Sequence, residues 1–118
     1  MKKTKLVALL MMLMMLASTS VAFADSNLIS ASSTSFKKSW TLNKTASANK
    51  HRLTYGYDTF LINEDFANAN SIGYIHKSKI VNGKGTFCGP KKTANDGWSD
   101  KEVKHKGSTV KYYCVKVN

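Results

Sequence analysis

Two cysteines, three histidines and a lysine-rich second half are the groups in this 118-residue chain best suited to chemistry. Cys88 and Cys114 lie 26 positions apart, each in a stretch that reads as a strand. A cysteine can bridge, ligate a metal or attack a substrate. In an exported chain an even pair predicts a structural disulfide, worth about 3–4 kcal/mol in the chain-entropy view. The other reading is a reactive thiol with His105 as its base. His51, His76 and His105 are too scattered to form an H-x-x-x-H pair, and no third or fourth ligand stands at metal spacing. No metal or other cofactor is therefore expected. Gly83-Lys84-Gly85 lacks the spacing of a phosphate loop and reads as a hairpin end.

Aromatic side chains interleaved with lysines offer a second chemistry, attraction to an anionic amphipathic surface. Lys91 and Lys92 share a turn-rich loop with Trp98, which follows Gly97, and Lys77 and Lys79 lie on a neighbouring strand-like run. Those five residues are the expected binding surface: an aromatic anchor with cations to meet phosphate. From Lys77 to Asn118 ten lysines face only Asp96, Asp100 and Glu102. Such a field draws a secreted protein to lipid head groups, wall polymers or lipid-linked wall precursors. Arg52 is the only arginine. Because arginine, not lysine, has the planar fork for specific phosphate recognition, nucleic acid ranks below envelope targets. A small ribonuclease is a third class, with Glu64 or Glu102 as base, His76 or His105 as acid and Arg52 on the phosphate, although no local motif joins them.

The elements that must hold these groups begin after an export signal. Lys2, Lys3 and Lys5 precede the uncharged apolar run Leu6 to Ala17, Ser18 to Val21 loosen it, and Ala22-Phe23-Ala24 has the small-large-small pattern of a cleavage site. Residues 1–24 are thus expected to be a signal peptide. At about 12 residues the run is shorter than the roughly 18–20 a membrane-spanning helix needs. Three of the 18 Lys and Arg fall in that leader and none of the 7 Asp and Glu, so the remaining 94 residues carry about +8. Residues 25–39, rich in serine, are expected to be a flexible lead-in, and residues 40–118 a single domain.

Within that domain, alternation predicts strands. Trp40 and Leu42 alternate with polar residues, as do Leu53, Tyr55 and Tyr57, with Phe60-Leu61-Ile62 continuing the run. Ile72, Tyr74, His76, Ser78 and Ile80 share one face of the next run, and Asn82-Gly83 predicts a tight hairpin back through Thr86-Phe87-Cys88. Trp98 to His105 reads as an edge strand and Thr109 to Val117 as the last one. Asn63 to Ser71 is the one stretch expected to hold a turn or two of helix. The fold class expected is all-β: a small antiparallel sandwich of six to eight strands.

Tyr55-Gly56, the run from Tyr74 through His76 and Ser78 to Val81-Asn82, and the later Gly97-Trp98 occur in an order that resembles the lactococcin-972 type of exported bacteriocin. The resemblance covers about residues 53–103. It implies a secreted β-sandwich that acts on competing Gram-positive bacteria by disturbing septum and wall assembly through a lipid-linked precursor rather than by making pores, and no catalytic or binding residues carry over from it. The cysteine pair and the spacing around Gly97-Trp98 depart from that pattern. The expected function is accordingly a secreted cationic antibacterial protein. A secreted non-enzymatic binding or inhibitory module, with another secreted protein as partner, is the alternative.

Overall fold

Alternating polar and apolar residues build eight strands in the computed structural model, which describes residues 24–118. The expected signal peptide, except Ala24, lies outside the described residues. The strands are β1 (Ser26–Ser33), β2 (Trp40–Ala46), β3 (His51–Asp58), β4 (Glu64–Ser71), β5 (His76–Asn82), β6 (Gly85–Cys88), β7 (Ser99–Lys104) and β8 (Val110–Lys116). They form two four-stranded antiparallel sheets, ordered β1-β8-β5-β6 and β2-β3-β4-β7. No helix is present among the described residues.

The two sheets bury their facing sides against each other. From the first come Ile29, Ile80, Val110 and Tyr112; from the second come Leu53, Tyr55, Ala67 and Ala69. Tyr112 lies at the centre, its ring 5.0 Å from Tyr55 and edge-on to Trp40 at 6.0 Å. On the outer face of the second sheet, Phe66 lies over Gly56. A side chain at Gly56 would collide with the Phe66 ring and the Trp40 carbonyl, so the backbone can be covered there only because the side chain is absent.

Four expectations need correction. The serine-rich stretch 25–39 is not a free lead-in: Ser26–Ser33 forms β1, paired along β8, with Ile29 inserted in the core. Asn63 to Ser71 is not helical, because Asp65, Ala67, Ala69 and Ser71 point inward as β4, between β3 and β7. Phe60-Leu61-Ile62 does not extend β3, which ends at Asp58; the three residues form an exposed loop. The Cys88–Cys114 disulfide is absent, and both cysteines are free. Cys88 is in register with Lys79, which pairs with Tyr113, and all three point outward; Cys114, one position further along β8, points inward. Opposite faces of one sheet cannot be bridged without breaking the pleat.

The hairpin turn falls one residue later than expected. Gly83-Lys84 forms the loop, while Asn82 remains in β5, its side-chain oxygen accepting from the Lys84 N–H at 2.8 Å.

Candidate functional site: a groove beside Trp98

The five expected binding residues do not form one surface. Lys77 and Lys79 flank the inward-pointing His76, Ser78 and Ile80 of β5, so both face outward from the first sheet. Lys77 pairs with Asp25 at 3.1 Å, and Lys79 sits 4.5 Å above the Tyr113 ring. Trp98 instead reaches the outer face of the second sheet, on the far side of the sandwich. Lys91 and Lys92 share its loop, Lys91 exposed and Lys92 half-buried.

That loop is fastened to β5 by the backbone and by two buried side chains. His76 and Lys92 exchange backbone hydrogen bonds of 2.9 and 2.8 Å. The wholly buried His76 ring places Nε2 2.8 Å from the Gly97 carbonyl and Nδ1 2.9 Å from the Tyr74 carbonyl. Ser99 accepts from the Ser78 N–H at 3.0 Å and donates to the Pro90 carbonyl at 2.6 Å. Gly97 turns the chain at φ 97°. His76 is thus a positioning residue: it holds the carbonyl that precedes Trp98.

Trp98 remains 39% exposed beside a straight row of polar side chains. Antiparallel register aligns Asn43 with Thr54, Thr54 with Asn68 and Asn68 with Asp100, one residue from each strand of the second sheet. Three interstrand spacings make the row about 14 Å long. Thr54 donates to Asn43 Oδ1 at 2.6 Å, and the Asn68 amide, turned to face its acceptors, donates to Asp100 Oδ1 at 3.2 Å. Trp98 lines a hollow of about 290 Å³ with Thr54, Asn68 and Asp100, and an adjoining one of about 410 Å³ that includes Asn43, Asn49 and Arg52. Asn49 of the β2–β3 turn lines the second hollow, and it ends a run of three residues, Ser47, Ala48 and Asn49, all at positive φ. Three such residues in succession are a costly conformation for non-glycine residues.

The arrangement suits recognition of an oligosaccharide. An indole face can pack against the apolar face of a sugar ring, while amide, hydroxyl and carboxylate groups meet its hydroxyls. Arg52, two residues along β3 from Thr54, adds a cation beside the row.

The groups cast for hydrolysis are not assembled. Arg52 lies six residues along β3 from Asp58, the partner of Glu64, a separation of about 20 Å. Both nitrogens of His76 face backbone carbonyls. His105 Nδ1 meets the buried Asp65 at 2.8 Å, and its ring packs 4.3 Å from Phe36 and 5.0 Å from Tyr57. Burial, followed by the neighbouring Glu102, raises the Glu64 carboxyl above its ordinary range. No group of three or more His, Cys, Asp or Glu is placed to hold a metal among the described residues.

The polar row could not be read from the chain. Asn68 lies in the stretch expected to be helical, and the alignment of Asn43, Thr54, Asn68 and Asp100 depends on the pairing of four strands. Comparison with family models, curated proteins and solved structures gives no match, so the case for this surface rests on its own residues.

Proposed function

We propose that this chain is a secreted antibacterial protein that binds the Gram-positive cell envelope, with the groove beside Trp98 taking the glycan portion of the wall or of a lipid-linked wall precursor. The observation that carries the reading is the half-exposed indole beside a four-strand row of hydrogen-bonding side chains. The export signal of residues 1–24, the excess of lysine and the likeness to lactococcin-972-type bacteriocins support it. Arg52 in the groove and Lys91 and Lys92 on the Trp98 loop supply positive charge for the phosphates of such a ligand. Lys77 and Lys79 contribute only to the general attraction, since they lie on the opposite face.

The test is binding of the secreted protein to purified wall glycan and to lipid-linked precursor, alongside growth inhibition of Gram-positive cells. Trp98→Ala and Asp100→Ala are expected to weaken glycan binding by on the order of tenfold to a hundredfold while the protein remains folded. Lys91→Ala with Lys92→Ala should reduce binding mainly at low salt. Unchanged glycan binding by a folded Trp98→Ala protein sinks the site. Glycan binding without any growth inhibition favours the non-killing binding module.

A further inference from the structure

The end of the sandwich remote from Trp98 carries a different kind of surface. Between β3 and β4 the chain exposes three large apolar side chains in succession: Phe60 at 76%, Leu61 at 88% and Ile62 at 52%. The loop is built to project them. Asp58 Oδ1 accepts from the Phe60 N–H at 2.9 Å, and the Ile62 N–H donates to the Phe60 carbonyl at 2.8 Å, closing a three-residue turn. Leu61 at its apex has φ 67°. Positive-φ turns of this type are rare and strained. A leucine held in an unfavourable conformation with nearly all its side chain in water has no explanation in folding alone.

Lysines flank the tip on two sides. Ser39, which follows Lys37 and Lys38, bonds the Thr59 hydroxyl and N–H at 2.9 and 3.0 Å, setting those lysines beside the tip. Lys104 is in register with Glu64, and the next residue, His105, donates its N–H to the Asn63 carbonyl at 2.8 Å. Lys106 accepts at its carbonyl from the Gly83 N–H at 2.7 Å, which brings Lys84 to the same end. All five lysines are exposed. Asp58, Glu64 and Glu102 lie with Lys104 on the outer face of the second sheet, which is net acidic, so the cationic sides are those of Lys37, Lys38, Lys84 and Lys106.

We infer that the Phe60-Leu61-Ile62 tip docks into an anionic lipid bilayer, the three side chains entering the boundary of the acyl region while Lys37, Lys38, Lys84 and Lys106 meet the head groups. Apolar insertion framed by cations is the general arrangement of proteins that lie on membranes without spanning them. At the opposite end Ile72, Tyr74 and Ile75 are less exposed than Phe60 and Leu61. There the Tyr74 ring stacks with the His51 ring at 5.5 Å and carries the Lys116 ammonium 4.4 Å from its centre. The inference does not depend on the glycan groove, because its probe contains no glycan.

The experiment is co-sedimentation of the secreted protein with vesicles of equal parts phosphatidylglycerol and phosphatidylcholine, and with phosphatidylcholine alone. Replacing Phe60, Leu61 and Ile62 together by Ser should lower partitioning into the mixed vesicles by about tenfold or more. Lys37→Gln with Lys38→Gln should cost on the order of tenfold on the anionic vesicles and little on the neutral ones. Ile72→Ser is the control and should partition as the native protein does. Leu61→Trp should show a blue-shifted difference fluorescence when anionic vesicles are added. Equal partitioning by the folded triple variant, or no shift from Leu61→Trp, overturns the inference. So does a triple variant that only turns a dimer into a monomer in sedimentation, which assigns the tip to a second copy of the chain.

Discussion

Cys88 and Cys114 belong to one sheet and point to opposite sides of it, so the first meets solvent while the second is sealed between the sheets. Burial pushes the Cys114 thiol up to about 11, which leaves almost none of the reactive thiolate at neutral pH. A thiol reagent should therefore modify one cysteine in the native protein and two in denaturant. Mass mapping is expected to place the native label on Cys88. Two rapid modifications without denaturant would contradict the placement of Cys114.

The error over this pair shows what sequence could and could not supply. Each cysteine does lie on a strand, as its surroundings in the sequence predict. The relative face of two strands depends on pairing register, which single-strand patterns do not contain. β4 failed for another reason. Its inward residues are Asp65, Ala67, Ala69 and Ser71, which are small or polar and lack the aromatic and β-branched character that marks β3 and β8. It is a strand because its neighbours make it one. That same segment supplies Asn68, so the misreading hid the middle of the polar row, whereas Trp98 was visible as an aromatic after a glycine in a polar loop.

Asp65 supports a second prediction. It is fully buried, accepting from Asn82 Nδ2 at 2.9 Å and facing His105 Nδ1 at 2.8 Å. Nearby, the Tyr112 hydroxyl is buried with no hydrogen-bond partner among the described residues, and burial followed by Asp65 holds its pKa far above the ordinary value. Asp65→Ala strands two polar partners and should cost about 3 kcal/mol in urea unfolding. Tyr112→Phe removes an orphaned hydroxyl and keeps the ring, so it should be neutral or stabilising by up to about 1 kcal/mol. The opposite ranking would show that the hydroxyl is satisfied in solution.

Acid should destabilise the protein in a window set by His51. Its burial, followed by the nearby Lys50 and His76, holds the imidazole below the ordinary 6.5. The unfolded chain then binds a proton that the folded chain resists. His51's contribution is full above about pH 6.5 and declines as pH falls below it. The urea midpoint should drop between about pH 7.5 and 5.5, and the drop should shrink in His51→Gln. Asp25, held low by the Asn118 backbone N–H and then by Lys77, acts only in a more acid range, where its contribution is lost as pH falls below its ordinary 3.8. Equal slopes for the native protein and His51→Gln would remove His51 from this account.

Gly56 tests the cover on the outer face. A methyl group there must displace the Phe66 ring or push away the Trp40 carbonyl. Gly56→Ala is expected to cost about 1–3 kcal/mol and to alter the near-ultraviolet circular dichroism as the aromatic side chains move. Native stability with an unchanged spectrum would mean that Phe66 does not rest on this glycine.

The strand order governs how the chain can reach this structure. β1 is bound along its length only by β8, and β8 also joins β1 to β5. The first of the described strands in chain order therefore waits for the last of them before it has any strand neighbour. Hairpins such as β2–β3 and β5–β6 can close early, but the first sheet cannot be completed from them. Folding should be slow and all-or-none, dominated by contacts distant in sequence. A chain that has not yet reached Val110 still lacks the strand that ties its beginning to its middle.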